Sequence, residues 1–177
     1  MELKAKLLNE SDIDRMLTRI SHQIIEKNHG TEDLCLIGIK TRGVPLAKRL
    51  SEKIENISSD IINVGELDIT LFRDDISAYK QTELTNDTKV NFDIENKTVI
   101  LVDDVLYTGR TVRAALEAIM KMGRPAKVQL CVLIDRGHSE LPIKANFVGK
   151  NIPTSTEEVV SVKLMETDNE DSVSIYV

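Results

Sequence analysis

A chain of 177 residues, 41% hydrophobic and 29% charged, can bury a core without disulfides or metal staples, and its size favours a single domain over residues 1–177. No run approaches the roughly 18 apolar residues of a membrane helix, MELKAKLLNESDIDR breaks into charge too early for a signal peptide, and the two cysteines, Cys35 and Cys131, sit inside apolar runs, so a cytoplasmic, reduced protein with no membrane partner is expected. A net charge of −6 argues against a nucleic-acid partner only until its distribution is read: Glu157 to Val177 holds six acids and one base, which leaves the other 156 residues at −1 and permits a basic face.

In chain order, Ser11 and Asp14 resemble a helix-start capping pair. Behind them Ile13, Leu17, Ile20 and Ile24 recur at helical spacing, with Arg15, Arg19 and His22 on the polar face and Asn28 and Gly30 at the end. Leu34 to Ile39 is almost wholly apolar, which predicts a strand covered on both faces. Lys40-Thr41-Arg42-Gly43 turns the chain into a second helix with Val44, Ala47, Leu50 and Ile54 inside. Ile61 to Leu71 reads as strand, and Arg73 to Asn91, polar and acidic, as a flexible loop or marginal hairpin. Thr98 to Asp103 is a third buried strand, Thr111 to Met122 a helix closed by Gly123 and Pro125, and Val128 to Ile134 a fourth strand. An irregular stretch with Pro142 and Pro153 follows, then two half-exposed strands, Val159 to Leu164 and Ser172 to Tyr176.

Strands alternating with helices predict a parallel sheet with helices on both faces, and such sheets bind ligands beyond the carboxyl ends of their strands. Three polar clusters fall at those ends: Lys40 to Gly43, Asp103-Asp104, and Asp135-Arg136-Gly137. The middle one carries the most chemistry. In VILVDDVLYTGRT, Val99 to Thr111, an apolar strand ends in two carboxylates, and a turn rich in Thr and Gly opens directly into a helix. Backbone N–H groups and the hydroxyls of Thr108 and Thr111 at a helix N-terminus suit a phosphate monoester, and Gly109 is expected to let the backbone approach it. Carboxylates beside that site can accept hydrogen bonds from vicinal sugar hydroxyls. Together they describe a ribose 5-phosphate. A response-regulator receiver also opens with paired Asp after a strand, but it needs another Asp about 45 residues on, and Asn146 to Lys150 holds no carboxylate.

Along all 13 positions this segment resembles the phosphoribosyl-pyrophosphate motif of the type I phosphoribosyltransferases. LTRISHQIIEKN, GIKTRGVPLAKRL, VGELDITLFRDD, VDDVLYTGRTVRAAL and DRGHSELPIKANFVGKNIPTS extend the likeness nearly end to end. They are similar to the branch of pyrimidine operon attenuator proteins that also have uracil phosphoribosyltransferase activity. The resemblance implies an α/β fold with a central parallel sheet, flanking helices and a small hood at about 137–160. It implies a dual function. The protein would bind pyrimidine operon leader mRNA under control of UMP or UTP, promoting transcription attenuation. It would also convert uracil and phosphoribosyl pyrophosphate to UMP and pyrophosphate, as a homodimer or homohexamer.

By the same resemblance Asp103 and Asp104 are the catalytic pair, holding the ribose hydroxyls directly or through substrate-bound Mg²⁺, with no dedicated metal cage. Val105, Leu106, Tyr107, Thr108, Gly109, Arg110 and Thr111 would bind substrate, the last five cradling the 5-phosphate. Lys40, Thr41, Arg42 and Gly43 would take the leaving pyrophosphate in a loop that often contains a non-proline cis peptide in related transferases. Arg73 would close over it, Arg136 would lie near the base or the pyrophosphate, and Val160 would belong to a hood that reads uracil largely through backbone. Thr18, Arg19 and His22, with His138, Lys144, Lys150 and Thr154, would form the RNA surface. Without the family, a solvated helix face is the plainer reading of the first three, and scarce aromatics disfavour RNA binding by base stacking. Two other readings stay open at this level: a plain salvage transferase for another nucleobase, and an RNA-binding regulator that keeps the nucleotide pocket only as a sensor.

Overall fold

A computed structural model describes residues 1–76 and 85–177, so part of the expected loop at 73–91 lies outside the described residues. Its elements are β1 (Leu3–Asn9), α1 (Glu10–Lys27), β2 (Leu34–Ile39), α2 (Gly43–Ser58), β3 (Asn63–Leu67), a 3-10 turn (Thr70–Phe72), β4 (Thr98–Leu106), α3 (Arg110–Met122), β5 (Lys127–Asp135), β6 (Phe147–Asn151), β7 (Val159–Lys163), α4 (Met165–Asp168) and β8 (Ser172–Tyr176). Five strands form a parallel sheet in the order β3-β2-β4-β5-β6, and three form an antiparallel one in the order β1-β8-β7.

The central strands are apolar throughout because both of their faces are covered, and alternate residues feed two cores. Leu36, Ile100, Val102, Cys131 and Leu133 pack with Ile13, Leu17 and Ile20 of α1 and Leu46, Leu50 and Ile54 of α2. Ile37, Ile39, Val99, Leu101, Leu130 and Val132 pack with Val112, Ala115 and Ile119 of α3. The first core runs on into the small sheet through Leu8, Val162, Val173 and Ile175. From β2 the chain crosses over α2 to β3 on one side, and from β4 over α3 to β5 on the other. The order therefore reverses between β2 and β4, and a crevice opens beyond their carboxyl ends.

Several boundaries differ from those the sequence predicts. The cap of α1 is Asn9 with Asp12, not Ser11 with Asp14: the Asn9 side chain accepts the Asp12 N–H at 3.0 Å and Asp12 accepts the Asn9 N–H at 3.1 Å. The helix starts as soon as β1 ends, and β1 escapes the sequence pattern because Leu8 is its one buried residue. The strand predicted at 61–71 stops at Leu67, where Asp68 turns the chain by accepting the Thr70 N–H at 2.9 Å. The strand predicted at 98–103 continues to Leu106, held by pairing with β5 as far as Asp135, so Asp103 and Asp104 lie within β4 and not at its end. Inside the stretch read as irregular, Phe147–Asn151 pairs with β5 as an edge strand. The second sheet is built from 3–9 and 159–176, so the expected hood at 137–160 contributes only its last residues to it.

Candidate functional site

The crevice at the strand-order reversal has a volume of about 540 Å³ and is lined by Lys40, Thr41, Arg42, Asp68, Ile69, Thr70, Arg73, Asp103, Asp104, Val105 and Thr111. Eight of these are residues the sequence singles out; Asp68, Ile69 and Thr70 are not among them, because that segment reads as strand. The Asp-x-Thr spacing of a turn was the available signal.

Backbone packing sets one wall. Gly43 is buried against β4, where a Cβ would collide with the Val102 carbonyl, and a Cβ on Gly38 would meet the Gly43 carbonyl oxygen. Only glycine lets the 40–43 turn fold down this closely over β4. The Lys40–Thr41 peptide is cis, as the family resemblance implies. Lys40 pairs with Asp87 and lies 3.7 Å from Glu66, which hold its ammonium in the charged form. Arg42 lines the crevice with its guanidinium forked onto Asp168 at 2.7 and 3.1 Å. Arg73 pairs with its neighbour Asp75.

The floor is acidic. Asp103 is buried and Asp104 half-buried on successive residues of β4. Asp103 accepts the Asp104 N–H and Asp104 accepts the Val105 N–H, each at 2.9 Å. Burial, and then the adjacent Asp104, push the Asp103 carboxyl well above the usual carboxylate range. No cation pairs with either carboxylate among the described residues. The pair is therefore set to accept hydroxyl protons or to meet a cation brought in with a ligand.

Beyond the carboxylates, Gly109 sits at φ +92° as the N-cap of α3 and supplies no side-chain cap of its own. Thr111, in the first turn of α3, lines the crevice, so this helix N-terminus with its positive dipole end lies at the crevice rim, as an anion site requires. A Cβ on Gly109 would lie 3.5 Å from Leu141 and Ile143, in ordinary contact, so among protein atoms it is the left-handed backbone that calls for glycine here. Thr108 Oγ1 accepts the Arg110 N–H at 3.3 Å, and the Arg110 side chain turns outward to Asp74 and Glu140.

Arg136 is buried, with Nε donating to Thr154 Oγ1 at 3.1 Å and Nη2 to the Ser155 and Glu158 carbonyls at 3.0 and 2.7 Å. Its guanidinium carbon stacks 3.9 Å from the Tyr107 ring centroid. It ties the phosphate turn to the segment leading into β7, which carries Val160 half-buried on the core. With Gly137, His138 and Thr154 it borders a separate cavity of about 470 Å³.

Of the residues expected to meet RNA, Thr18, Arg19 and His22 lie on α1, Lys150 on edge strand β6, and His138, Lys144 and Thr154 in the segments that flank β6. Arg19 is exposed and donates to the Val148 and Gly149 carbonyls of β6. His22 is exposed one turn on. Lys144 and Lys150 are exposed, and His138, at φ +62°, directs Nε2 to the Thr154 carbonyl. Thr18 is the exception: it donates to the Asp14 carbonyl and accepts from Lys53 of α2, away from β6.

A phosphoribosyl transferase domain model matches residues 5–167. Over 176 residues, 99% of each chain, the sequence is 58% identical to the Bifunctional protein PyrR of Clostridium perfringens. It is 57% identical over 172 residues, 97% of each chain, to that of Clostridioides difficile. The chain belongs to the PyrR family of phosphoribosyltransferase-domain proteins. PyrR membership accounts for the reach of the sequence likeness beyond the 13-residue motif. Among solved structures, a hypoxanthine phosphoribosyltransferase of Staphylococcus aureus superposes with a TM-score of 0.74 at 22% identity, covering 98% of this chain and 92% of that one. One of Trypanosoma cruzi gives 0.73 at 18% identity, covering 99% and 95%. The fold is the type I phosphoribosyltransferase fold that the sequence predicts. No helix among the described residues is long and apolar enough to cross a membrane.

Proposed function

We propose that this PyrR-family chain transfers the phosphoribosyl group of phosphoribosyl pyrophosphate to uracil. With UMP or UTP bound, it also binds pyrimidine operon leader mRNA and promotes transcription attenuation, acting in the cytoplasm as a homodimer or homohexamer. The carrying observation is one crevice that joins a carboxylate pair, a helix N-terminus opened by glycine and the 40–43 turn, in a chain 54–58% identical to proteins named bifunctional PyrR.

In the reaction a uracil ring nitrogen bonds to the ribose anomeric carbon as the bond from that carbon to pyrophosphate breaks, and the nitrogen loses its proton. The first turn of α3 and residues 107–111 hold the 5-phosphate through backbone N–H groups. Asp103 and Asp104 hold the ribose hydroxyls and stabilise the positive charge that develops on the sugar. Lys40 to Gly43 receive the pyrophosphate, and Arg73 closes the mouth against water. The donor set fits Mg²⁺ carried in on the substrate, since two adjacent carboxylates lack a paired cation and such an ion keeps phosphate oxygens and waters as its other ligands. When bound, it supplies neutralisation of the leaving group's charge. Val160 and the backbone of 137–160 read the base.

The RNA face is α1 with β6: Arg19 and His22, joined by Lys150, Lys144, His138 and Thr154, with Thr18 at its margin. The test titrates a pyrimidine-leader stem-loop with and without UMP and assays uracil conversion on the same sample. The expected result is UMP-enhanced binding together with turnover. Turnover without RNA binding assigns a salvage enzyme, and UMP-dependent binding without turnover assigns a regulator whose pocket only senses.

A further inference from the structure

The acidic C-terminal stretch, net −5 from Glu157 to Val177, has its own use inside the molecule. Arg42, the N-cap of α2, and Arg49, two turns into the helix, are seven residues apart and lie on one side of it. Both are held by the turn around α4. Arg49 forks onto Glu166 and onto Asp171, with its Nη1 and Nη2 each 2.8 Å from a different Asp171 oxygen. Arg42 donates from Nε and Nη2 to the two oxygens of Asp168. Asp168 is itself held in place, because its Oδ2 also accepts the Leu164 N–H at 2.9 Å.

The two arginines differ in what they face. Arg49 lies outside the crevice, whereas Arg42 lines it together with Asp103, Asp104 and Thr111. The Asp168 fork occupies Nε and one Nη2 proton of Arg42. Among the described residues Nη1 makes no hydrogen bond, so its two protons remain for an anion. We infer that Asp168 is a positioning residue that aims Arg42 Nη1 at the pyrophosphate of the sugar substrate. This rests on the reading above, in which the 40–43 turn receives that group. A guanidinium fixed in advance by a carboxylate loses less side-chain freedom on binding, so the gain falls on pyrophosphate affinity.

The test compares the wild-type chain, Asp168→Asn, Arg42→Ala and Glu166→Gln by uracil phosphoribosyltransferase kinetics and by calorimetry with magnesium pyrophosphate. Asp168→Asn keeps the acceptor for the Leu164 N–H but loses the ionic fork. It should raise KM for phosphoribosyl pyrophosphate and weaken pyrophosphate binding by about five- to tenfold, with kcat within about twofold and KM for uracil unchanged. Glu166→Gln removes an equivalent ion pair from the same turn and should change neither constant. Asp168→Glu, which restores the charge one methylene further out, should recover part of the affinity, and it serves as the reporter if the Asn variant does not fold. Unchanged pyrophosphate affinity in Asp168→Asn, with a loss in Arg42→Ala, overturns the positioning role alone. Equal losses in Asp168→Asn and Glu166→Gln overturn it in favour of a purely structural turn. Wild-type chain that neither binds pyrophosphate nor turns over uracil overturns the underlying reading instead.

Discussion

Asp103 holds its carboxyl where burial and Asp104 disfavour ionisation. A carboxyl whose folded-state pKa is raised stabilises the fold fully at low pH and loses that contribution as pH rises through the folded value. At pH 7 it is therefore a cost, which the proposed catalytic role accounts for. Asp103→Asn keeps the acceptor used by the Asp104 N–H and removes that cost. It is expected to raise Tm at neutral pH while lowering transferase turnover at least about tenfold; a lower Tm with unaltered turnover refutes the assignment. Gly109→Val forces a β-branched residue into φ +92° and should weaken UMP binding by calorimetry, through distortion of the phosphate turn. The carboxylate pair and this glycine are legible in thirteen consecutive residues because strand, turn and helix start are all local. The Arg42–Asp168 fork is not, since its partners are 126 positions apart and each taken alone reads as a solvated charge.

At the scale of elements, α1 joins the core to the proposed RNA face. Its inner stripe of isoleucines was plain from helical spacing, whereas its cap was displaced by two residues because β1 hides its pairing in a mostly exposed strand. On the outer face Arg19 donates to two neutral carbonyls of β6, so its orientation is fixed while its positive charge stays uncompensated. Arg19→Ala should cost about 1–3 kcal/mol of leader RNA binding if the guanidinium reads a base and lower the salt slope by about one if it contacts a phosphate. Uracil turnover should stay within about twofold of wild type, because this face lies away from the β2–β4 crevice. Filter binding across a potassium chloride series with parallel kinetics checks both, and matched losses of RNA binding and turnover at an unchanged Tm would sink the two-surface arrangement.

Over the whole molecule the negative charge is largely spent internally. Glu158, Glu166, Asp168, Glu170 and Asp171 answer Lys4, Arg49, Arg42, Lys6 and Lys163, so the acidic stretch stitches the small sheet to α2 and does not stand free to repel a polyanion. Composition revealed the asymmetry, but only the tertiary pairing reveals its purpose. Pairing with Lys6 and a hydrogen bond from Ser172 draw Glu170 down to about 2, and the arginine pairs lower Glu166, Asp168 and Asp171. Groups with lowered folded-state pKa contribute above their unfolded values, 4.5 for Glu and 3.8 for Asp, and lose the contribution as pH falls through the folded values. Tm should accordingly fall between about pH 4.5 and 2, and more shallowly in Asp168→Asn; because several of these pairs are exposed, salt should blunt the effect. A Tm flat across that interval would show that the pairs add nothing to stability.

The small sheet also sets an order of events during folding. Among the described residues β1 pairs only with β8, so residues 3–9 wait for residues 172–176 before a ladder bond can form. The five parallel strands span residues 34–151 and have all their partners well before that. The β1–β8 pairing therefore closes a far longer loop than any pairing in the five-stranded sheet, and residues 172–176 decide when β1 is captured.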